Sequence, residues 1–189
     1  MKHKKLTRKE IFSIPNLMSY LRILLIPVFC YLYVTAETEQ DIWIAAAVVL
    51  FSSLTDLLDG FVARHFNMIT ELGKVLDPVA DKLTHAALAL CLTYRYPLMW
   101  ALIILMALKE GYMAFMGLHF LKKGKMLDGA MWFGKICTTV LFVGMLVLFF
   151  GFRMSSVSAN GLILVMMTVM AITVFLYIPV FREMKQEKD

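Results

Sequence analysis

The chain has 189 residues, 60% of them hydrophobic and only 17% charged, whereas soluble domains run roughly 45–50% apolar and about 25% charged. A soluble fold of this length has no interior large enough for so many apolar side chains, which excludes that class. The net charge of +5 does not indicate nucleic acid, because the basic residues cluster just outside the apolar runs and no basic, aromatic-interleaved surface appears.

Residues 1–13 form a basic juxtamembrane segment with Lys2, Lys4, Lys5, Arg8 and Lys9. Ile11 and Phe12 suggest a short interfacial helix before Pro15; a flexible basic topology signal reads equally well. The apolar run that follows is interrupted by Arg22 and closed by no A-x-A-like site, so it reads as a retained span and not a cleaved signal. Six spans follow, over about 15–35, 42–64, 76–95, 98–120, 131–151 and 159–181, each long enough to cross about 30 Å of hydrocarbon. Continuous runs of this length satisfy their backbone in lipid as helices. The expected fold is all-α: one polytopic domain, 1–189, with six transmembrane helices.

Loop charge sets the orientation. The N-terminal arm, the loop after span two (Arg64, Lys74), the loop after span four (Lys122, Lys123, Lys125) and the tail (Arg182, Lys185, Lys188) are basic. The opposite loops hold only Arg95 and Arg153, and the first of them is acidic with Glu37, Glu39 and Asp41. Both termini are expected on the cytoplasmic side of a cell membrane. Cys30, Cys91 and Cys137 stand singly in apolar runs and read as small packing residues.

The stretch from Asp56 to Asp81, DLLDGFVARHFNMITELGKVLDPVAD, carries the chemistry. Carboxylates at the ends of apolar spans cost up to roughly 2.5–3.5 kcal/mol at a helix centre, so they need partners, and function is the default hypothesis. Asp56 and Asp59 are three residues apart, Asp77 and Asp81 four, so each pair shares a helix face. A connection of about a dozen residues brings the two helix ends together. Four carboxylates in one small space repel unless cations intervene. Their hard oxygens suit Mg2+ or Mn2+, and two such ions, about 3.5–4 Å apart, clamp the attacking and leaving oxygens of a phosphoryl displacement. Gly60 and Gly73 let a bulky ligand approach the backbone, and Arg64, one turn after Gly60, has the fork that suits a pyrophosphate.

The pattern Asp56-x2-Asp59-Gly60-x2-Ala63-Arg64-x8-Gly73-x3-Asp77-x3-Asp81 resembles the signature of the CDP-alcohol phosphatidyltransferases at all eight fixed positions. That family's six helices with cytoplasmic termini match the span count. The resemblance implies that Asp56, Asp59, Asp77 and Asp81 make up the metal site, with Asp81 also the general base. It also implies that Gly60, Ala63, Arg64, Thr70 and Gly73 hold the CDP moiety, joined by Asn16 and Arg22 from span one, and that the enzyme is a homodimer. Arg22 has a second reading, as a partner that steadies an aspartate of the cluster.

The acceptor is read from further resemblances. Ile14-Pro15-Asn16-Leu17, Leu21-Arg22-Ile23 and Leu76 to Leu83 are similar to the bacterial branch that uses glycerol 3-phosphate and so makes phosphatidylglycerol precursors. Lys109, before Glu110, and Lys135, in Gly134-Lys135-x2-Thr138, then become acceptor-binding candidates, though a simple buried Lys109–Glu110 ion pair is an open alternative. Lys109 stands where that branch has arginine, Cys137 where it has lysine, and another expected arginine is missing near Gly117. The cardiolipin synthase branch, whose acceptor is phosphatidylglycerol, shares a run like residues 55–61 and is the alternative. His65, His85 and His119 have no ligand spacing with one another and read as interfacial or packing residues. A membrane prenyltransferase lacks the Gly-x2-Ala-Arg element, and a non-enzymatic cation transporter has no need of Gly60 or Arg64.

Overall fold

A computed structural model describes residues 12–66, 68, 70, 72–121, 131–151 and 153–186; at 57, 63, 64, 74 and 184–186 the description is of the backbone alone. The interfacial helix expected around Ile11 falls outside the described residues. Among them every regular element is a helix: α1 (Ile14–Val34), α2 (Glu39–His65), α3 (Gly73–Thr93), α4 (Met99–Leu121), α5 (Trp132–Phe150) and α6 (Ser156–Gln186). All except α3 are long and apolar enough to cross a membrane. The 21 residues of α3 suffice in length, but Lys74, Asp77, Asp81 and Lys82 charge its first half. The chain is an all-α polytopic membrane protein.

The largest departure from the expected spans is α6, which runs for 31 residues. At 1.5 Å per residue it is longer than the hydrocarbon is thick, so an end of it stands outside the lipid. The α2–α3 connection is shorter than expected, because α3 begins at Gly73 and not near residue 76. The Thr70 hydroxyl accepts a hydrogen bond from the Gly73 N–H at 2.9 Å and so caps one of the first, otherwise unpaired, donors of α3.

The chain divides into two compact units, Met1–Cys91 and Leu92–Asp189. In the first, α1 and α2 pack closely as antiparallel neighbours across the turn at 35–38. Thr38 starts α2 with a capping box: its N–H donates to Asp41 Oδ2 at 2.9 Å, and its hydroxyl accepts from the Asp41 N–H at 3.3 Å. The buried face of α1 follows the helical period as Asn16, Ser19, Arg22, Phe29 and Tyr33, in steps of three, four or seven residues. That of α2 runs Ile42, Ala45, Ala46, Val49, Ser52, Thr55 and Asp59. Both faces are apolar near the turn and polar at the far end. Antiparallel register therefore sets apolar half against apolar half, with alanines allowing close approach, and places the polar halves together. That polar end is where the site forms.

In the second unit α6 packs against both α4 and α5. Phe120, Phe133, Tyr177 and Phe181 make its buried aromatic cluster, with the Phe133 and Tyr177 rings 4.7 Å apart and edge to face. Gly134 leaves the room into which the Tyr177 hydroxyl fits. The Tyr96 hydroxyl donates to the Gly151 carbonyl at 3.0 Å and ties the α3–α4 turn to the end of α5. Burial pushes that phenol above its ordinary pKa, against the opposing charge of Arg95.

Candidate active site

The polar half of α1 reaches the acidic stretch at three points. Arg22, 1% exposed, forms ion pairs through Nη1 with Asp56 and through Nη2 with Asp59. Ser19 donates its hydroxyl to Asp77 Oδ1, with the Pro15 carbonyl of its own helix 3.2 Å from the same hydroxyl oxygen. Thr70 donates to Asn16 Oδ1 at 3.1 Å while capping Gly73. The spacing 16, 19, 22 puts the three α1 residues on one face, so a single helix edge touches α2, the α2–α3 connection and α3.

The four aspartates share one electrostatic neighbourhood. The charges of Asp77 and Asp81 both act on Asp56, and that of Asp77 also acts on Asp59. Asp59 is buried, whereas the side chains of Asp56 and Asp81 are 42% and 49% exposed. The cluster is therefore dry on the Asp59 side and open on the Asp56 and Asp81 side. His85 Nδ1 lies 3.8 Å from Asp81 Oδ2, one helical turn on.

The donor chemistry fits a hard divalent cation, since the cluster offers carboxylate oxygens and no thiolate. Its present geometry does not close on a point: no group of three Asp, Glu, His or Cys side chains among the described residues is drawn together to hold a metal ion. Asp56 and Asp59 turn to Arg22 instead. Of the two readings of Arg22, the partnership with aspartates is the one visible in the structure.

The remaining sequence candidates take their places as follows. Gly60, Ala63 and Arg64 lie in the last turns of α2, with Ala63 and Arg64 described by backbone only. Gly73 opens α3 at a crowded point, where a Cβ would stand 2.8 Å from Asn16 Oδ1 and 3.0 Å from Thr70 Oγ1. Gly73→Ala is therefore expected to destabilise the protein. Overpacking costs roughly 1–3 kcal/mol and helix propensity returns at most about 1; a lowered thermal unfolding midpoint checks it. Lys109 and Lys135 belong to the second unit. Lys109 is buried and pairs with Glu110 at 2.9 Å, as the ion-pair alternative has it, and Lys135 is exposed in the first turn of α5.

Ser19 escaped the sequence reading, and His85, read there as an interfacial or packing residue, stands beside Asp81. Ser19 carried a faint signal, three residues from both Asn16 and Arg22. His85 carried a clearer one, four residues after Asp81 on the same helix face.

Similarity to known proteins identifies the family. The chain is 41% identical over 88 residues to a cardiolipin synthase (CMP-forming)/mitochondrial hydrolase fusion protein of Schizosaccharomyces pombe, a match covering 47% of this chain and 14% of that protein. It is 46% identical over 84 residues to the human cardiolipin synthase (CMP-forming), covering 44% of this chain and 27% of that one. The chain thus spans well under a third of these two relatives. It is 33% identical over 144 residues to the CDP-diacylglycerol–glycerol-3-phosphate 3-phosphatidyltransferase of Escherichia coli, covering 71% of this chain and 75% of that one. The sequence profile of the CDP-alcohol phosphatidyltransferases matches residues 12–179, a stretch that holds all six helix starts and every aspartate of the cluster. The chain belongs to the CDP-alcohol phosphatidyltransferase family.

Proposed function

We propose that this protein transfers the phosphatidyl group of CDP-diacylglycerol to glycerol 3-phosphate and releases CMP, as a step toward phosphatidylglycerol. The observation that carries the reaction class is the gathering of Asp56, Asp59, Asp77 and Asp81 around one electrostatic neighbourhood at the polar end of α1–α3. The choice of acceptor leans on the relative that matches along most of both chains.

Asp56, Asp59 and Asp77 would hold Mg2+ or Mn2+, which would supply positive charge for the pyrophosphate and the leaving CMP. Gly60, Ala63, Arg64, Thr70 and Gly73 hold the CDP moiety, and the acyl chains stay in lipid. Asp81, open to the cytoplasmic side, takes the proton of the acceptor hydroxyl. The freed oxygen forms a bond to the lipid-side phosphorus, and the bond from that phosphorus to the CMP oxygen breaks. One phosphodiester is made, one pyrophosphate linkage is lost, and the proton resides on Asp81. The basic loops support a cytoplasmic position for this centre and both termini, and the enzyme works as a homodimer.

Cardiolipin synthesis, with phosphatidylglycerol as acceptor, is the second reading, favoured by the higher identity of the shorter human match. Purified protein given CDP-diacylglycerol and Mn2+ with either glycerol 3-phosphate or phosphatidylglycerol decides it. CMP release that depends on glycerol 3-phosphate is the expected result; release that depends on phosphatidylglycerol overturns the acceptor and keeps the reaction.

A further inference from the structure

Arg22 is among the most buried side chains of the first unit, and it sits in the first half of a membrane-crossing helix. A guanidinium there costs several kcal/mol unless paired, so its partners hold it as firmly as it holds them. The pairing is unusual in form. Arg22 does not grip one carboxylate with its fork; it spends Nη1 on Asp56 and Nη2 on Asp59. Its Nε makes no hydrogen bond among the described residues, and Nη1 meets Asp56 as a charge pair without hydrogen-bond geometry, whereas Nη2 donates to Asp59. Of its five N–H donors only part is engaged, so charge, not a full cage of hydrogen bonds, fixes its position.

Those two partners are also carboxylates assigned to the metals. One positive charge bridges them where a divalent ion would bring two. The rest of α1 does not depend on that bridge: Ser19 on Asp77 and Thr70 on Asn16 anchor the same helix face nearer its start. The Asp56 side chain is 42% exposed, which leaves a path for an entering ion.

We propose that Arg22 is an internal counter-cation that holds Asp56 and Asp59 together and is displaced from them when a divalent ion binds. Arg22 is then a positioning residue that competes with the metal, and its release frees a guanidinium beside the site where an anionic phosphate arrives. The inference rests on the reading in which these aspartates hold Mg2+ or Mn2+.

A purely structural Arg22 behaves in the opposite way. Its removal would let Asp56 and Asp59 splay apart, and metal would bind more weakly. A competitor's removal makes metal bind more tightly. If the ion-accepting arrangement is populated about a tenth of the time while Arg22 holds the pair, its removal tightens apparent binding about ten-fold. Lysine keeps the charge but cannot bridge two carboxylates with a planar fork, so Arg22→Lys falls between wild type and Arg22→Gln.

The test is calorimetric titration of Mn2+ into the detergent-purified full chain after chelator treatment, for wild type, Arg22→Gln and Arg22→Lys. In parallel, wild-type Arg22 is modified with the arginine reagent phenylglyoxal and mapped by mass spectrometry, with and without saturating Mn2+. The expected results are tighter Mn2+ binding in Arg22→Gln, an intermediate value in Arg22→Lys, and faster modification of Arg22 when Mn2+ is present. Unchanged or weaker binding in Arg22→Gln overturns the proposal, as do equal modification rates. Should Arg22→Gln fail to fold, the wild-type modification rates decide. If wild type binds Mn2+ and only the Arg22 effects are missing, the metal reading stands without this inference; if wild type binds no Mn2+, both fall.

Discussion

Asp81→Asn is expected to lower CMP release by a factor of about 10² to 10⁴, the range set by loss of a positioned general base, while binding of CDP-diacylglycerol stays near wild type. The reason lies in where the four aspartates stand. Asp59 is buried against Arg22 and Asp77 takes a hydrogen bond from Ser19, so both are engaged from the α1 side. Asp81 lies one turn further along α3, about half exposed, with the His85 imidazole 3.8 Å away. It is thus the carboxylate best placed to meet a hydroxyl arriving from water. Asparagine keeps its size and much of its polarity but takes no proton. Paired measurements of turnover and of equilibrium CDP-lipid binding check the expectation. Equal loss of both would move Asp81 into the ligand-holding set and remove its role as base.

Asp59→Ala is expected to destabilise the protein by roughly 3–5 kcal/mol, the usual penalty for breaking a buried ion pair by removing one partner. Asp59 is 3% exposed and Arg22 1% exposed, so water cannot replace the lost carboxylate. Asp56 alone would have to balance the guanidinium from a more exposed position. Adding Arg22→Met to Asp59→Ala removes the stranded charge together with its partner, so most of the loss should return. Thermal unfolding in detergent of the two single variants, the double variant and wild type measures this coupling. Strictly additive losses would mean that Arg22 and Asp59 do not depend on one another.

Much of this molecule was legible from residue order because lipid imposes strict rules. Long apolar runs must be helices, so the element count followed, and the α1 and α4 ends fall within about a residue of expectation. The acidic motif gave the pairing of Asp56 with Asp59 and of Asp77 with Asp81, because spacings of three and four fix a shared helix face without tertiary information. What stayed hidden depends on contacts between helices. The sequence showed that Arg22 needed a partner and not that it would have two, since that rests on the α1–α2 register set by the 35–38 turn. The early start of α3 came from a side-chain cap by Thr70, which hydropathy does not register. The same blindness applies to Ser19, an ordinary residue in composition that matters because Asp77 faces it.

The most direct measurement is the paramagnetic resonance signal of Mn2+ titrated into the purified, chelator-treated chain, compared between wild type and Asp77→Asn. Ions held by the cluster would give wild type a bound fraction, two ions per chain, that the variant loses in whole or in part. Wild type that leaves all Mn2+ free, or a variant that binds as much as wild type, would contradict the assignment of these aspartates to the metal.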